Sequence, residues 1–276
     1  MRIARFAKGD GVAYGVVDEA GPDQAGQPQA GPEAQSALTI AELYGHPFGT
    51  DAKNVRLTGQ RYPLSEVRLL APVLPSKVVA IGKNYAAHAA EMGGEPPAEP
   101  VIFLKPSTAV TGPGDRIAYP VKLTQHVDFE GELAVVIGRL CRDVPKERAE
   151  DVIFGYTCAN DVTARDLQLR DGQWTRAKGF DTFCPMGPWI ETGASPADLG
   201  ITTTVNGTVR QHASTRELLW DVPSLVAYVS SAMTLLPGDV LLTGTPEGVG
   251  PLTDGDEVSV TIEAIGTLTN RVVIRD

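Results

Sequence analysis

The chain has 276 residues, of which 42% are hydrophobic and 21% are charged, and its formal net charge is −10 at pH 7. These values are typical of a globular protein with a large core, and the negative charge argues against nucleic acid or an anionic membrane surface as a partner. They do not exclude a small anionic ligand, because a local group of cations can bind one whatever the net charge. The longest apolar runs are the length of strands and too short to span a membrane.

The N-terminal residues and the cysteines indicate a reducing compartment. The N-terminal residues lack the apolar segment of a secretory signal, so we expect a cytoplasmic protein. The three cysteines form no CxxC pair, and one of them would be left over from any disulfide. We therefore interpret Cys141, Cys158 and Cys184 as reduced thiols in the core rather than as metal ligands.

Residues 1–72 predict a small N-terminal domain that contains β-structure. The segments RIARFA and VAYGVVD have the pattern of short strands, and a Pro/Gln/Ala-rich stretch near residues 20–37 predicts a surface loop. The segment LLAPVLPSK is interpreted as a linker, since each proline restricts the preceding residue to extended geometry. A second, larger domain follows over residues 73–276.

The larger domain is predicted to consist mainly of strands, with a few short helices. Helices are expected in the segments NYAAHAAEMG, PKERAEDVIF and VPSLVAYVSSAM. The segment TTTVNGTVRQH predicts a hairpin with Asn206 and Gly207 at its turn, because a type I′ turn requires positive φ at both central residues. Strand patterns in LLPGDVLLTGTP and beyond extend the β-structure to the C-terminus.

The first predicted helix contains a candidate acid–base pair. His88 and Glu91 are three residues apart in NYAAHAAEMG, so a helix would place them on one face. A carboxylate beside an imidazole fixes its tautomer and raises its basicity, as a general base requires. A surface pair with no catalytic role is equally compatible with this segment alone.

The segment HVDFEGELAVVIG contains acids at every second position, which a single strand would place on one face. Asp128, Glu130 and Glu132 would then repel one another beside a fully apolar run. A further acid, Asp161, follows the strand predicted in GYTCANDVTARDLQ. Carboxylates grouped at strand ends suit a hard divalent cation such as Mg²⁺ or Mn²⁺. The alternative is a solvated strand face, and no spacing of His and Cys supports a zinc site.

Two lysines and a glycine-containing loop are further candidates. Lys178, in WTRAKGFDTF, and Lys105, in FLKPST, lie in segments where a lysine either reaches the surface or pairs with a buried anion. The loop in LLTGTPEGVGPL lacks the spacing of a nucleotide-binding phosphate loop, although its backbone could still contact a ligand.

Seven segments, in this order and spacing, resemble the fumarylacetoacetate hydrolase family: AIGKNYAAHAAEMG, FLKPST, DFEGELAVVIG, GYTCANDVTARDLQ, AKGFDTFCPMGPW, VNGTVRQ and LLPGDVLLTGTPEGVGPL. The resemblance covers roughly residues 77–276, and the preceding residues match only loosely, as the variable N-terminal part of that family. It implies a mixed β-sandwich roll that assembles as a homodimer. It also implies Mg²⁺ or Mn²⁺, with Ca²⁺ as a less suitable substitute, bound by Glu130, Glu132 and Asp161. Asp128 is outside this ligand set.

The same resemblance implies roles for the remaining candidates. His88 and Glu91 match a pair that activates water, and Lys178 matches a catalytic residue that stabilises the developing oxyanion. The positions that match substrate-binding residues are Arg165, Gln168, Thr245 and, as the weakest match, Lys105. Residues that select the acyl tail of the substrate are expected in the segments EMGGEPPAEP and QLRDGQW.

The implied activity is divalent-metal-dependent hydrolysis of a C–C bond in acylpyruvate-type 2,4-dioxo acids, such as fumarylpyruvate or acetylpyruvate, through a metal-bound pyruvate enolate. The partner would be a small anionic 2-oxo acid. Two alternatives stay open, namely isomerisation of 2-hydroxyhepta-2,4-diene-1,7-dioate and decarboxylation of oxaloacetate. A metal-binding module without catalysis is disfavoured, because His88 and Lys178 are both present.

Overall fold

The computed structural model describes residues 1–19, 38–48 and 55–275. Within these ranges most of the regular structure is β-strand, arranged in three sheets, with a few short helices. The mainly β architecture expected from the sequence is confirmed. The loop predicted near residues 20–37 lies outside the described residues.

The elements are numbered in chain order. The strands are β1 (Arg2–Lys8), β2 (Gly11–Glu19), β3 (Leu38–Leu43), β4 (Leu57–Pro63), β5 (Arg68–Leu70), β6 (Val78–Gly82), β7 (Val101–Lys105), β8 (Val110–Thr111), β9 (Arg116–Tyr119), β10 (Val127–Phe129), β11 (Gly131–Ile137), β12 (Ile153–Asn160), β13 (Thr163–Ala164), β14 (Cys184–Glu191), β15 (Gly200–Val205), β16 (Thr208–Ser214), β17 (Val240–Leu242), β18 (Gly250–Pro251), β19 (Glu257–Ile262) and β20 (Gly266–Ile274). The α-helices are α1 (Ala86–Glu91), α2 (Arg165–Asp171), α3 (Thr175–Lys178) and α4 (Val222–Ala232). Short 3₁₀-helices cover Leu64–Glu66, Ser107–Ala109, Lys146–Val152 and Thr215–Glu217.

The largest sheet joins the N-terminal strands to the rest of the chain. Its order is β4-β3-β2-β1-β14-β12-β11-β17-β6-β7, with β5 beside β1 and β8 beside β14. The junction is the antiparallel pairing of β1 with β14, which sets Arg2 opposite Glu191 and Ile3 opposite Ile190. The described strands of residues 1–72 therefore extend the same sheet that runs through the larger region.

The apolar run LAVVIG supplies most of β11, which is buried on both faces. Leu133, Val135 and Ile137 belong to a core cluster shared with β19 and α4. Ala134 and Val136 point to the opposite face and belong to a second cluster. The first face is covered by a five-stranded sheet of order β16-β15-β19-β20-β9. A strand covered on both sides has no reason to alternate apolar and polar residues, which accounts for the continuous run.

The predicted hairpin forms between β15 and β16. Asn206 and Gly207 occupy its turn with φ of 49° and 77°, the left-handed geometry that this turn requires. Because β16 is the first strand of the five-stranded sheet, the hairpin lies at the edge of that sheet.

Two of the three predicted helices form as α-helices. They are α1 and α4, and α4 begins after Asp221, whose side chain accepts a hydrogen bond from the Ser224 N–H (2.9 Å). The segment PKERAEDVIF forms a 3₁₀-helix instead, and its last residues enter β12. Only Ala149 of this 3₁₀-helix is buried, so no apolar face stabilises an α-helix there. None of the helices in the described part of the chain has the length and apolar character of a membrane-spanning segment.

The segment HVDFEGELAVVIG is not one strand, so the expectation of three acids on one strand face is wrong. β10 ends at Phe129 and β11 begins at Gly131, with Glu130 between them. Side chains replace the ladder partners here: the Glu130 N–H donates to Asn160 Oδ1 (2.9 Å) and the Gly131 N–H donates to Gln211 Oε1 (2.9 Å). β10 belongs to a three-stranded sheet, β13-β10-β18, so the break lies at the junction of two sheets.

Candidate active site

The sheet junction brings three carboxylates together. Glu130 occupies the break, Glu132 is the second residue of β11, and Asp161 directly follows β12. The pairing of β11 with β12 sets Gly131 opposite Asn160, and the Asp161 N–H donates to the Glu130 carbonyl oxygen (2.8 Å). All three side chains are buried, and one carboxylate oxygen of each lies within 4.8 Å of the others. The structure therefore groups the three residues predicted as metal ligands.

Three buried cations pair with these carboxylates. Lys178, the last residue of α3, donates from Nζ to Glu130 Oε2 (2.8 Å) and to Asp161 Oδ2 (2.7 Å). Arg165, the first residue of α2, donates from Nη2 to Glu130 Oε1 (2.7 Å). Lys105, at the end of β7, donates from Nζ to Asp161 Oδ1. Buried charges are stable only when paired, so these contacts fix both signs of charge in place.

Asp128 anchors the arginine rather than joining the carboxylate triad. The Arg165 Nε–H donates to Asp128 Oδ2 (2.8 Å), and Nη1 donates to Gln168 Oε1 (2.7 Å). The guanidinium is therefore held by three side chains at once. The residues that follow Asp161 form β13 and then α2, which places Arg165 and Gln168 on the cluster.

Glu132 differs from the other two carboxylates of the triad. It has no ion pair with any described residue, and its Oε2 accepts a hydrogen bond from the Gly244 N–H (2.7 Å). Burial and the charges of Asp161 and Glu130 raise the pKa of Glu132 well above its ordinary value. Burial acts on Glu130 as well, but the two neighbouring cations outweigh it and hold the pKa of Glu130 below its ordinary value.

The carboxylate triad could hold a divalent metal ion. Counting Asp128, the group contains four buried carboxylates and three buried cations. The cations pair with Asp128, Glu130 and Asp161 and with none of the oxygens of Glu132, so the group has one negative charge in excess when all four carboxylates are ionised. A divalent ion at Glu130, Glu132 and Asp161 would remove that excess and the repulsion that acts on Glu132. The donors are all carboxylate oxygens, which suit Mg²⁺, Mn²⁺ or Ca²⁺.

The predicted acid–base pair forms on α1. His88 Nδ1 lies 3.1 Å from Glu91 Oε2, and Glu91 Oε1 accepts a hydrogen bond from the Gly248 N–H (3.0 Å). The imidazole is buried, whereas the Glu91 carboxylate is about one-third exposed. With Nδ1–H directed at a carboxylate, the basic nitrogen of His88 is Nε2.

Asn84 fixes the segment that leads into α1. Its Nδ2 donates to the carbonyl oxygens of Thr243 (2.8 Å) and Trp220 (3.1 Å), and its Oδ1 accepts from the Trp220 N–H (2.9 Å). Thr243 directly follows β17, which pairs with β11. The base is therefore tied to the sheet that carries Glu132. Asn84 was not predicted from the sequence, because no local pattern shows that a single asparagine will bond to backbone groups distant in the chain.

One cavity of about 140 Å³ collects most of the predicted side chains. From the predicted set it is lined by His88, Glu130, Glu132, Asp161, Arg165, Gln168, Lys178 and Thr245. Glu91 and Lys105 are outside the lining and contact it through His88 and Asp161, respectively. The substrate contact predicted for Lys105 therefore has no direct counterpart in the lining.

Thr245 serves the strand break as well as the cavity. Its hydroxyl donates to the Gly131 carbonyl oxygen (3.0 Å) and accepts from Gln211 Nε2 (2.8 Å). Its only hydroxyl hydrogen is thus committed within the protein. Gln211, which sequence reasoning did not single out, bonds Gly131 from the other side and completes this support.

Several lining residues were not named from the sequence. The apolar ones are Ile81, Met92, Phe103, Leu169 and Trp174, and the others are Gly82 and Lys83. Met92, Leu169 and Trp174 lie in the two segments expected to select the substrate's tail. The rings of Phe103 and Trp174 meet edge to face at 5.2 Å between centroids, which forms an aromatic wall.

Two family models match this chain. Residues 77–273 match the model described as fumarylacetoacetate (FAA) hydrolase C-terminal, and residues 1–72 match the model described as Rv2993c-like, N-terminal. The chain therefore belongs to the fumarylacetoacetate hydrolase family and is an enzyme, as the resemblance in the sequence implied.

Relatives of known name extend along most of the chain. Protein Rv2993c of Mycobacterium tuberculosis is 57% identical over 276 residues, which cover 99% of this chain and 98% of that protein. Oxaloacetate tautomerase YisK of Bacillus subtilis is 45% identical over 233 residues, which cover 79% of this chain and 77% of that protein.

Solved structures of similar proteins include an isomerase and a hydrolase. That of 5-carboxymethyl-2-hydroxymuconate delta-isomerase from Mycobacterium smegmatis covers all of both chains at 54% identity, with a TM-score of 0.87. That of maleylpyruvate hydrolase from Sphingobium sp. SYK-6, in complex with manganese(II) and pyruvate, covers all of both chains at 33% identity, with a TM-score of 0.77. Enzymes of this family therefore catalyse different reactions, and family membership alone does not define the reaction of this chain.

Proposed function

We propose that this enzyme catalyses proton transfer between the keto and enol forms of a small 2-oxo dicarboxylic acid, with oxaloacetate as the first candidate substrate. The observation that carries the proposal is that the base of the His88–Glu91 pair shares one small cavity with the three carboxylates. The names of relatives support it, because the Bacillus subtilis relative is an oxaloacetate tautomerase and the Mycobacterium smegmatis neighbour is an isomerase.

This reaction needs one base, which the cavity provides. His88 Nε2 would accept a proton from C3 of the keto form, while Glu91 stabilises the resulting imidazolium. The same imidazolium would return the proton to the C2 oxygen, which yields the enol and consumes no other reactant. A divalent ion held by Glu130, Glu132 and Asp161 would supply positive charge beside the 2-oxo acid head of the substrate.

Proton transfer demands less of the buried cations than hydrolysis does. Lys178 already donates to two carboxylates, and Arg165 already donates to three side chains. Hydrolysis would require these groups to bind the oxyanion of a tetrahedral intermediate as well. Tautomerisation places no such demand on them.

Hydrolysis of a C–C bond in an acylpyruvate is the second candidate. The intact His88–Glu91 pair favours it, since the same base could deprotonate a water molecule. The Sphingobium neighbour, a maleylpyruvate hydrolase, supports it at lower identity. Hydrolysis of an acylpyruvate and decarboxylation of oxaloacetate both release pyruvate, whereas tautomerisation does not, so product analysis separates the reactions.

The test follows two products in the same samples. Conversion of oxaloacetate would be monitored by the ultraviolet absorbance of its enol, and pyruvate would be measured after incubation with oxaloacetate, acetylpyruvate or fumarylpyruvate. Each reaction would be run with Mg²⁺, with Mn²⁺ and after EDTA treatment. We expect His88→Ala to slow tautomerisation by about 10²–10⁴-fold. The matched control is His212→Ala, because this exposed histidine lies on the edge hairpin, outside the cavity lining, where its Nδ1 is 3.0 Å from the Thr202 hydroxyl.

Each outcome has a distinct meaning. Metal-dependent tautomerisation without pyruvate release, lost in His88→Ala and retained in the control, would support the proposal. Pyruvate formed from the acylpyruvates in a reaction that needs His88 would establish the hydrolase instead. Pyruvate formed only from oxaloacetate, and still formed by His88→Ala, would indicate a decarboxylase.

A further inference from the structure

Lys83 is a cavity-lining cation that the proposed reaction does not use. It directly follows β6, lines the same cavity as His88 and the carboxylate triad, and is half-buried. Its Nζ lies on the side of the loop that follows α1, since a Cβ placed on Gly94 would stand 3.2 Å from it. That loop belongs to the segment EMGGEPPAEP, in which residues that select the substrate's tail were expected.

The other cations of the site are engaged, and Lys83 is not. Lys178, Arg165 and Lys105 all donate to buried carboxylates. Within the described part of the chain, Lys83 forms no ion pair and no hydrogen bond through its side chain. An ammonium group that faces a cavity without a carboxylate partner can bind an anionic ligand there.

The backbone at Lys83 is held in a conformation that lysine rarely adopts. Its φ is 57°, in the left-handed region that favours glycine or asparagine. The preceding Gly82 lies against the Trp174 ring, so closely that a Cβ there would stand 2.7 Å from it. The following Asn84 is fixed by three hydrogen bonds. Such a conformation persists only where the surroundings impose it, and residues of this kind cluster at ligand sites.

The charges of the cavity match a doubly charged ligand. The buried carboxylates exceed their cations by one, so a divalent ion at the triad would leave the group with one positive charge. Lys83 adds a second positive charge to the lining. Two positive charges balance a dicarboxylate dianion, whereas a 2-oxo acid with a neutral tail would leave Lys83 without a partner.

We propose that Lys83 binds the distal carboxylate of the substrate and thereby selects 2-oxo dicarboxylic acids over 2-oxo acids with a neutral tail. This inference rests on the proposed function, which places the 2-oxo acid head at the carboxylate triad. The distal carboxylate accepts a charge-assisted hydrogen bond from the Lys83 ammonium. Lys83 acts on binding and specificity, and His88 remains the base.

The experiment compares two substrates that share the 2-oxo acid head and differ in the charge of the tail. They are oxaloacetate and its 4-ethyl monoester, which keeps the 2-oxo acid head and the C3 protons. Lys83→Asn removes the ammonium and tolerates the left-handed backbone, and Lys83→Arg restores a positive charge. Lys122→Asn, at an exposed lysine outside the cavity lining, is the matched control.

We expect Lys83→Asn to lower kcat/KM for oxaloacetate by about 10–100-fold, the range of a lost hydrogen bond to a charged group. The value for the monoester should change by less than about threefold on the same reasoning, because its tail offers no charge to Lys83. Lys83→Arg should restore the preference for the dicarboxylate, and Lys122→Asn should match the wild type. An equal loss on both substrates, or no loss on oxaloacetate, would overturn the inference.

A binding measurement separates this inference from the proposed function. 3,3-Difluorooxaloacetate has no C3 proton and cannot tautomerise, and its 4-ethyl monoester is the neutral-tail counterpart. Calorimetry with the Mn²⁺-saturated protein should show that Lys83→Asn weakens binding of the diacid and leaves binding of the monoester unchanged. If the wild type catalyses no tautomerisation and this difference persists, the proposed function fails and the role of Lys83 stands. If the difference is absent, the role of Lys83 fails.

Discussion

Replacing Lys105 with methionine tests whether this lysine stabilises the carboxylate cluster or contacts substrate. Its ammonium donates to Asp161 Oδ1 and to the Val162 carbonyl oxygen (3.2 Å), and both charged side chains are at most 1% exposed. Methionine preserves most of the packing of the lysine stem. The substitution therefore removes the charge and its hydrogen bonds with little change in volume.

The expected loss of stability follows from these contacts. Removing one partner of a buried ion pair typically costs about 3–5 kcal/mol. Asp161 would keep its hydrogen bond from Lys178 (2.7 Å), so we expect the lower end, about 3 kcal/mol. That loss is a large fraction of the roughly 5–15 kcal/mol by which a native protein is stable. The melting temperature should fall by roughly 6–12 °C.

The assay pairs denaturant unfolding with calorimetric titration of Mn²⁺. Lys105→Met makes the cluster more negative, so Mn²⁺ should bind at least as tightly as in the wild type and should restore part of the lost stability. Lys77→Met is the matched control, because Lys77 pairs with the buried Asp239 outside the cavity. Asp239 retains its bonds from Ser76 and from the Leu236 N–H, so the control should lose only about 1–3 kcal/mol, with no change in Mn²⁺ binding. Unchanged stability of Lys105→Met together with a higher KM would refute this reasoning.

Three further outcomes are expected. Glu91→Gln should lower kcat by about 10²–10⁴-fold, because glutamine can donate a hydrogen bond to His88 Nδ1 and impose the wrong tautomer. The affinity for Mn²⁺, measured by calorimetry as the control, should equal that of the wild type. Gly131→Ala should lower the free energy of unfolding by about 1–3 kcal/mol and weaken Mn²⁺ binding, because the added Cβ would stand 2.1 Å from Thr203 Oγ1. A melting curve and a Mn²⁺ titration that match the wild type would contradict this. Burial raises the pKa of the Cys158 thiol from 9.0 to about 12. As the pH rises, this thiol therefore loses its proton in the unfolded chain before it does so in the folded protein. The free energy of unfolding should fall above pH 9 by up to about 1.4 kcal/mol per pH unit. Denaturant unfolding at pH 8 and pH 10 should show a smaller fall for Cys158→Ala, and equal falls would count against the buried thiol.

Local sequence patterns were sufficient to predict that the carboxylates lie close together, but not to predict the break in the strand that carries them. The acids at Glu130 and Glu132 stand beside an apolar run, and Asp161 ends a strand, so the sequence predicted their proximity. The break at Glu130 was not predictable, because it depends on acceptors from Asn160 and Gln211 that are distant in the chain. A break of this kind is a tertiary effect that overrides strand propensity.

Polar residues that act through a partner were the hardest to read from the sequence. Sequence reasoning assigned Asp128 no role beyond its place outside the metal-ligand set, and the structure shows that it accepts a hydrogen bond from Arg165. Lys105 resembled a substrate contact, yet its ammonium reaches Asp161. No sequence spacing indicates a role for Lys83, and the inference about it depends on its positive φ and on its position in the cavity lining. Partner choice among buried charges depends on distances that no local pattern encodes.

The pairing of β1 with β14 bears on how the protein can be shortened. Removal of residues 1–72 would take away β1, the strand that pairs with Ile190 and Glu191, and would leave backbone donors and acceptors of β14 without partners. An uncovered strand edge is a template for association with other chains. Such a fragment, although it retains every residue of the cavity, should aggregate during expression, so crystallisation or engineering is better begun from the intact chain.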